Sequence, residues 1–160
     1  GLQVIINNGD ISIVSSDDGI NSTATSGQGI VIDGGNLYIL AGGDGLDSNS
    51  RTAYSGIVFK GGKTVVISTS GGNSAIDTEA GYTYTSGSVL AIMPNGGMTS
   101  EATHCSNFSS VAKKISMSLS SGKTLTVSVS NSAILSVKIP CNLSAIVIYL
   151  GSTSANISLN

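Results

Sequence analysis

The sequence predicts an all-β protein: a parallel β-helix of about four coils, followed by antiparallel β strands that cap the helix or pack beside it. Three observations predict this fold class. A small-residue turn recurs at nearly constant spacing, short β-branched segments alternate with a period of two, and no segment carries the 3.6-residue period of an amphipathic helix. Three regions follow: a β-helix over 1–101, a connecting loop over 102–110 and a C-terminal strand region over 111–160.

The repeat is visible when four segments are aligned at their glycine turns. Each segment reads as a short strand, a glycine turn, a second alternating strand and a glycine-rich loop. The segments run from Val4 to Asn21, Ile30 to Asp47, Ile57 to Asp77 and Tyr82 to Met98, with turns at Gly9, Gly35, Gly62 and Gly87. The turn recurs in steps of 26, 27 and 25 residues. A unit of this length cannot bury its own apolar face, whereas stacked coils form a continuous aliphatic core.

Residues 111–160 depart from the repeat. Two alternating segments, Lys114–Leu119 and Leu125–Val129, are separated by a polar turn and predict a hairpin. Two further strands are predicted at Ile134–Ile139 and Ala145–Leu150. The strands of this region can cap the solenoid, pack along its side or add to a neighbouring molecule, and the sequence leaves these three arrangements open.

The composition provides little surface charge. Charged residues make up 10% of the chain, against about 25% in an average soluble domain. Residues 1–101 hold all nine acidic residues, whereas residues 102–160 hold four lysines and no acid. No basic stripe with interleaved aromatic residues is present, so nucleic acid is not expected as a partner. No segment reads as a membrane span, so membrane insertion is not expected either.

Cysteines and glycosylation sequons favour a secreted protein located outside the cell or on its surface. The even number of cysteines fits one disulfide between Cys105 and Cys141, with two buried free thiols as the alternative. The chain starts at Gly1 without Met and shows no signal peptide, which fits a mature or excised chain. Four Asn-x-Ser/Thr sequons are candidate N-glycosylation sites: Asn21, Asn107, Asn142 and Asn156.

The acidic motifs resemble the signature of a known family. The stretches Asp17-Asp18-Gly19-Ile20-Asn21 and Asp44-Gly45-Leu46-Asp47 resemble the D-G-[IL]-[DN] motif of a bacterial family of carbohydrate-binding-domain proteins, typified by a surface β-helix that binds polygalacturonate. The resemblance extends mainly over 1–101. It implies a right-handed parallel β-helix, calcium bound at acidic coil turns and affinity for acidic plant-type polysaccharide. The chain departs from the motif at Asn21 and at Ser74-Ala75.

Stacked coils are expected to place the acidic residues in one column. Strand spacing would separate their like charges by roughly 5 Å, and a divalent cation would relieve the repulsion. The predicted calcium ligands are Asp44 and Asp47 first, then Asp18, Asp17 and Asp77. The alternative is that these residues form turns and cap backbone N–H groups.

Sugar binding is predicted at two tyrosines and at the acidic column. Tyr82 and Tyr84 lie two residues apart and so share one face of a strand. Their rings are candidates for stacking on sugar rings, with Asp44 and Asp47 completing the carbohydrate site. The alternative is ordinary packing of both rings. The absence of Trp favours binding that depends on calcium and multivalency.

No catalytic arrangement is predicted. A lyase-like site would need a basic residue near the calcium ligands, and Arg51, four residues after Asp47, is the only arginine. We interpret Arg51 as a surface charge. His104 is the only histidine, and no partner for acid–base or nucleophilic catalysis is evident beside it. The expectation is a protein that is not an enzyme, with a polysaccharide lyase as the alternative.

The function predicted from these patterns is extracellular binding or structure. One hypothesis is a surface or matrix protein that holds acidic polysaccharide with calcium at the aspartate turns. A second is a fibre subunit that self-associates end to end, because the segment from Gly1 to Ile6 begins a coil with no visible cap and unpaired edges invite pairing. A preceding segment that covers this end, or a structural filament glycoprotein with no carbohydrate ligand, are the alternatives.

Overall fold

The computed structural model describes residues 2–160, and the fold is all-β as predicted. Gly1, the first residue of the predicted uncapped end, lies outside the described residues. Within 2–160 the helices are two short segments, α1 (Thr99–Thr103) and α2 (Phe108–Val111). No helix in this part of the chain has the length and apolar character needed to cross a membrane.

The coils of the solenoid contribute strands to three parallel sheets. Sheet A consists of β1 (Val4–Ile6), β4 (Ile30–Ile32), β7 (Ile57–Phe59) and β10 (Thr83–Tyr84). Sheet B begins with β2 (Asp10–Ser15), β5 (Asn36–Ala41), β8 (Lys63–Ser68) and β11 (Ser88–Pro94). Sheet C consists of β3 (Ile20–Ser22), β6 (Leu46–Ser48) and β9 (Ile76–Thr78). The predicted parallel stacking of successive coils is confirmed.

The solenoid has three complete coils, and the predicted fourth coil is only partly formed. The fourth repeat supplies β10 to sheet A and β11 to sheet B, but sheet C ends at β9. After β11 the chain turns into α1, which packs against β9. The predicted number of four coils is therefore too high, because the last repeat leaves the solenoid after its second strand.

The recurrent glycine turns form the corners between sheets A and B. Gly9, Gly35, Gly62 and Gly87 have φ values of 116°, 83°, 76° and 101°, a region that favours glycine. A side chain at Gly35 would also clash, because its Cβ would lie 2.5 Å from the Gly9 carbonyl oxygen of the previous coil. The spacing of these glycines in the sequence therefore reports the length of each coil.

The C-terminal region extends sheet B and adds a fourth sheet. β15 (Leu143–Leu150) pairs antiparallel with β11, and β12 (Ala112–Leu119) pairs antiparallel with β15. Sheet D is formed by β14 (Ser132–Lys138), β13 (Thr124–Val129) and β16 (Asn156–Leu159). Two of the arrangements that the sequence left open therefore coexist, because β15 covers the end of sheet B while sheet D packs beside it.

The predicted hairpin is wrong in its pairing. Both of its segments are strands, but β12 belongs to sheet B, where all eight of its residues pair with β15, and β13 belongs to sheet D. The hairpin of this region instead joins β13 to β14 through Ser130 and Asn131, whose φ values are 50° and 65°. Two central residues with positive φ are typical of a type I′ turn, which matches the twist of the flanking strands.

Two hydrophobic cores follow from the alternation of side chains along sheet B. Inward residues such as Leu37, Ile39 and Val66 join sheets A and C in the inner core of the solenoid. Outward residues such as Val65 and Leu90 pack against sheet D in an outer core. Sheet B is therefore buried on both faces where sheet D covers it.

The two ends of the solenoid differ. At the C-terminal end, Tyr82 forms a β-bridge with Cys105, so the segment after α1 lies over the last coil. At the N-terminal end, Leu2, Ile5 and Val14 are 77%, 52% and 73% exposed. Among residues 2–160, no strand pairs with the outer edge of β1, β2 or β3. The first coil is thus open within the described part of the chain.

Candidate functional site

The predicted acidic residues lie along sheet C and in the turns before it. Asn21, Asp47 and Asp77 are register partners in β3, β6 and β9, one in each coil. Asp18 and Asp44 lie three residues earlier, in the turns that lead into β3 and β6. The register of the coils therefore stacks the motifs over one another. We name this surface the acidic row, formed by Asp17, Asp18, Asp44, Asp47 and Asp77.

Hydrogen bonds link the acidic row from coil to coil. The Asn21 amide nitrogen donates to the Asp18 carboxylate at 3.1 Å and also to the carboxylate of Asp47 in the next coil. The Asp18 carboxylate accepts the backbone N–H of Asp44 at 2.9 Å, and the Asp44 carboxylate accepts that of Ser74 at 2.6 Å. Asp18 and Asp44 therefore cap the backbone of the following coil, which is the turn-forming role that the sequence left open.

The glycine of each Asp-Gly motif is required by the close stacking of the turns. A Cβ at Gly19 would lie 2.5 Å from the Gly45 carbonyl oxygen, and a Cβ at Gly45 would lie 2.5 Å from the Ala75 carbonyl oxygen. The third coil can carry Ala75 at this place because, within the described residues, no further strand of sheet C follows it. The departure at Ser74-Ala75 therefore marks the last coil of the row.

Burial and mutual repulsion disfavour the charged carboxylates of the acidic row. Burial raises the pKa of Asp77 to about 7, and the carboxylates of Asp44, Asp47, Glu101 and Glu79 add to the rise. Burial likewise raises the pKa of Asp47 to about 6, with other acids of the row and Glu79 contributing. The pKa of Asp44 is also raised, mainly by burial, although the backbone N–H that it accepts opposes the rise. The row is therefore an electrostatically unfavourable arrangement when it is ionised.

The residues of the acidic row fit calcium only in part. Residues 2–160 contain one ion pair, between Lys60 and Asp33 at 3.3 Å. No basic side chain in this part of the chain therefore forms an ion pair with the row. Equally, no three His, Cys, Asp or Glu side chains within 2–160 converge to hold a metal ion. The oxygen chemistry suits calcium, but backbone carbonyls and water would have to complete the six to eight ligands that it prefers.

The two tyrosines predicted to stack on sugar are buried in the inner core. Tyr82 is 0% exposed and Tyr84 is 8% exposed. Their hydroxyls donate to the carbonyl oxygens of Ala102 and Gly87, at 2.7 and 2.8 Å, and Tyr82 packs edge-on against Phe59. The tyrosines share one face of the chain, but that face points into the solenoid. The prediction that Tyr82 and Tyr84 bind carbohydrate is therefore wrong.

The predicted disulfide is not formed. Both cysteines are free: Cys105 is buried in the inner core, and Cys141 lines a shallow cleft with Val14 and Leu40 on the outer side of sheet B. The Cys105 thiol donates to the side-chain oxygen of Asn107 at 3.2 Å, and burial raises its pKa. The two thiols lie on opposite faces of sheet B, which keeps them apart.

The four glycosylation sequons lie in different surroundings. Asn142 and Asn156 are exposed in the C-terminal region. The Asn107 amide nitrogen instead donates to the Tyr84 carbonyl oxygen at 3.0 Å, and the Asn21 amide nitrogen is bonded within the acidic row. A glycan on either of these two nitrogens would displace its hydrogen bonds, so the accessible acceptors are Asn142 and Asn156.

Arg51 and His104 form no catalytic arrangement with the residues that they contact. Arg51 is exposed after β6, and its backbone N–H donates to the Thr25 carbonyl oxygen at 3.0 Å. His104 is exposed and packs edge-on against Tyr54, with ring centroids 5.4 Å apart. Neither contact forms an acid–base or nucleophile–base pair.

A cleft that sequence reasoning missed lies on the outer side of sheet B. It has a volume of about 330 Å³ and separates the outward side chains of β2, β5 and β8 from β14 of sheet D. We name it the sheet B cleft. The residues that define its chemistry are Asp10, Asn36, Tyr38, Lys63, Leu135 and Val137.

The sheet B cleft combines polar groups at one end with apolar walls. Asn36 pairs with Asp10 on one side and Lys63 on the other, and its amide nitrogen donates to the Asp10 carboxylate at 2.6 Å. Burial raises the pKa of Tyr38, and Cys141 nearby adds to the rise. Alternation in β5 was a signal for the outward direction of Tyr38. The opposite wall comes from β14, about a hundred residues later, and no local pattern predicts that contact.

Comparison with known proteins identifies the family. The model of a family described as carbohydrate-binding domain-containing proteins matches residues 1–156, beyond the 1–101 expected from the motifs. Searches of curated proteins and of solved structures returned no match. The family indicates carbohydrate binding and a non-catalytic role. The match extends over all four sheets, and the chain therefore belongs to the family of carbohydrate-binding domain-containing proteins.

Proposed function

We propose that this protein binds acidic polysaccharide outside the cell and that calcium on the acidic row assists the binding. The observation that carries the proposal is the row itself: carboxylates stacked coil over coil, with no basic side chain among residues 2–160 paired to them. The family match supports a carbohydrate as the ligand. The resemblance of the Asp-Gly motifs to those of the polygalacturonate-binding protein is the reason to expect an acidic polysaccharide.

The residues of the row have separate roles in this proposal. Asp47 and Asp77 present carboxylates at adjacent register positions, and these are the oxygens offered to the cation. Asp18 and Asp44 bond the backbone of the next coil and so hold the row in register. Calcium, when bound, supplies the positive charge that lets protein and polysaccharide carboxylates approach each other.

Binding of polygalacturonate with and without the chelator EGTA tests the proposal. We expect stronger binding in calcium than in EGTA, and loss of this calcium-dependent part in the double variant Asp44→Ala with Asp47→Ala. The milder pair Asp47→Asn with Asp77→Asn should act in the same direction without disturbing the fold, because Asn21 occupies the equivalent place in the first coil. Asp33→Asn is the control, since Asp33 pairs with Lys60 rather than with the row.

The outcome that contradicts calcium assistance is specific. Polygalacturonate binding that is unchanged by EGTA and by both double variants would show that calcium does not assist the binding. Loss of binding in Asp33→Asn as well would point to a general charge effect instead of the row.

The proposed role is non-catalytic. A polysaccharide lyase would use Arg51 as its base and would release unsaturated products from polygalacturonate. We expect no such product from the wild-type protein in a prolonged incubation followed by ultraviolet absorbance. Product formation that Arg51→Ala abolishes would instead establish the lyase.

N-glycosylation is proposed at Asn142 and Asn156, the two exposed sequons. Expression through the secretory route of a eukaryotic host should add glycans that a peptide-N-glycosidase removes. Asn142→Gln and Asn156→Gln should each reduce the mass shift, whereas Asn107→Gln should leave it unchanged because that amide is bonded to Tyr84. A protein without any glycan under these conditions would contradict the proposal.

End-to-end assembly is a second candidate function, favoured by the open first coil. Leu2, Ile5 and Val14 are large apolar side chains exposed at that end, and the outer edges of β1, β2 and β3 have no strand partner among residues 2–160. Open strand edges and exposed apolar patches favour pairing with another chain. The acidic first region and the basic C-terminal region complement each other in charge, which suits head-to-tail contact.

Electron microscopy of the purified protein, with and without EGTA, tests the assembly. We expect filaments that resist dilution, their loss in Ile5→Lys and Val14→Lys, and their retention in Met98→Lys, an exposed apolar residue away from the first coil. Loss of filaments in EGTA would place calcium in the assembly. Discrete monomers at all concentrations would overturn this second candidate.

A further inference from the structure

We infer that the sheet B cleft is a second carbohydrate site, which takes a pyranose ring of a polysaccharide without the help of a metal. This inference rests on the proposed function in one respect, namely that the ligand is a polysaccharide. It assigns that ligand a place distinct from the acidic row, because the row lies on sheet C and the cleft lies on the outer side of sheet B.

The size and walls of the cleft suit a sugar ring. Ligand sites begin at roughly 300 Å³, and the cleft has about 330 Å³. Leu135 and Val137 on β14 face Val65 and Tyr38 on sheet B across the gap. A pyranose has faces made of C–H groups, and these pack on aliphatic and tyrosine side chains in the way that other apolar surfaces do.

The polar groups of the cleft suit the hydroxyls at the edge of the ring. Asp10 and Asn36 are already bonded to each other at 2.6 Å, which fixes both side chains in place. The remaining carboxylate oxygen of Asp10 accepts from a sugar hydroxyl, while the Asn36 carbonyl oxygen offers a second acceptor. Lys63 is not in the ion pair that residues 2–160 contain, so its ammonium is available to donate to a ring or hydroxyl oxygen.

Other ligand classes fit the cleft less well. A lipid chain would leave the Asp10 and Lys63 charges beside hydrocarbon without compensation. A phosphate group would meet the Asp10 carboxylate, and the cleft lining contains no glycine-rich loop or helix N-terminus to receive it. A ring with apolar faces and many hydroxyls satisfies both parts of the lining.

A second cleft lies further along the same strands, which favours a chain over a single sugar. Its lining includes Val14, Leu40, Pro140 and Cys141. Val14 follows Asp10 on β2 with the same outward direction, so the two clefts lie one after the other along the strand. A polysaccharide lying parallel to β2 would therefore reach both.

The test fills the cleft and measures binding with calcium removed. Ser12 lines the cleft on β2, is exposed and shares the outward face of that strand with Asp10, so Ser12→Trp puts a large ring into the gap without touching either core. Ser116→Trp is the matched control, because Ser116 is an exposed serine on β12 that does not line the cleft. The probes are polygalacturonate, soluble xylan and mixed-linkage β-glucan, titrated in EGTA by calorimetry.

We expect EGTA-resistant binding of at least polygalacturonate by the wild type, weakened about tenfold or more by Ser12→Trp and unchanged by Ser116→Trp. Tyr38→Ala should weaken binding in the same way, and circular dichroism melting identifies any variant that fails to fold. EGTA-resistant binding that both cleft variants retain at the wild-type affinity would overturn the inference.

The titrations distinguish a cleft that binds no sugar from a protein that binds no polysaccharide at all. Binding that occurs in calcium but disappears entirely in EGTA would overturn the cleft and leave the acidic row as the site. Absence of binding to every probe with and without calcium would overturn both proposals.

Discussion

The acidic row and the sheet B cleft lie on the same coils but differ in the chemistry of their outward side chains. Along sheet C, the outward positions are Asn21 and then the carboxylates of Asp47 and Asp77, and burial and mutual repulsion raise the pKa of these two carboxylates to about 6 and about 7. Along sheet B, the outward positions change from Asp10 and Asn36 to apolar residues, and sheet D covers much of that face.

The difference lies in what covers each sheet. Sheet C is not joined to sheet D by the outer core, and α1 packs against its last strand, β9, within residues 2–160. The polar row faces outward, where solvent or a cation compensates its charge. Sheet B is joined to sheet D by the outer core, and the gap that remains beside β2 is bounded by protein on two sides. One solenoid thereby provides an outward row of carboxylates and a cleft with largely apolar walls, and the two predict different dependence on calcium.

The largest effect is expected from breaking the stacking on which both surfaces depend. Gly45→Val puts side-chain atoms onto the Ala75 carbonyl oxygen, 2.5 Å from the Cβ position. We expect a loss of unfolding free energy of more than about 4 kcal/mol, which abolishes the row and the cleft together. Denaturant unfolding followed by circular dichroism measures it. Gly71→Ala is the control, because nothing lies within 4 Å of a Cβ there.

The second effect separates the cleft from the row. Leu125 is fully buried in the outer core, so Leu125→Ala should cost about 3 kcal/mol of unfolding free energy. The variant loosens sheet D and should weaken EGTA-resistant polysaccharide binding while calcium-dependent binding remains. Equal loss of both kinds of binding would mean that the two surfaces are not independent.

The third effect is the change of Tm with pH that the acidic row produces. Asp47 and Asp77 have folded-state pKa values above those of the unfolded chain, so their contribution to stability is present below about pH 4 and is lost as pH rises through about 6 to 7. In EGTA, the Tm should therefore fall from about pH 4 to about pH 8. Asp77→Asn should raise the Tm at the upper pH by roughly 2–4 °C, the shift expected for about 1 kcal/mol in a domain of this size.

The outcome that contradicts the third prediction is a Tm that rises with pH in EGTA and that Asp77→Asn does not change. Asp33→Asn is the control, since Asp33 belongs to the Lys60 ion pair. Addition of calcium at the upper pH should restore stability to the wild type but not to Asp77→Asn.

The smallest effect is expected at the mouth of the cleft. Lys63→Gln removes a partly solvated charge, so affinity for polygalacturonate in EGTA should fall by roughly two- to fivefold and lose part of its salt dependence. Titration at low and high salt measures both changes. Lys114→Gln, an exposed lysine on β12, should change neither. A larger loss at Lys114 would indicate general attraction of an acidic polymer.

Much of the solenoid could be predicted from the sequence, because its determinants are local and repeated. The spacing of Gly9, Gly35, Gly62 and Gly87 predicts the coil length, since each corner needs a positive φ. Stacking also explains the departure at Ala75: within residues 2–160 no further strand of sheet C follows this turn, so a Cβ is tolerated there. Strand pairing after residue 111 could not be predicted, because β12 and β13 alternate alike yet join different sheets.

The candidate sites were only partly predictable for a related reason. Stacking of the Asp-Gly motifs follows from the repeat, whereas the direction of Tyr82 and Tyr84 depends on which face of sheet A points inward. The cleft needs Leu135 and Val137 opposite Tyr38, a contact between distant segments. The cysteine count suggested a disulfide, but sheet B separates the two thiols.

The division of carbohydrate binding between the acidic row and the sheet B cleft is tested by one calorimetric titration series with polygalacturonate, with and without EGTA. We expect two components for the wild type: one lost in EGTA and in Asp47→Asn with Asp77→Asn, the other resistant to EGTA and lost in Ser12→Trp. A single component that one of these variants removes completely, in calcium and in EGTA alike, would contradict the division of carbohydrate binding between row and cleft.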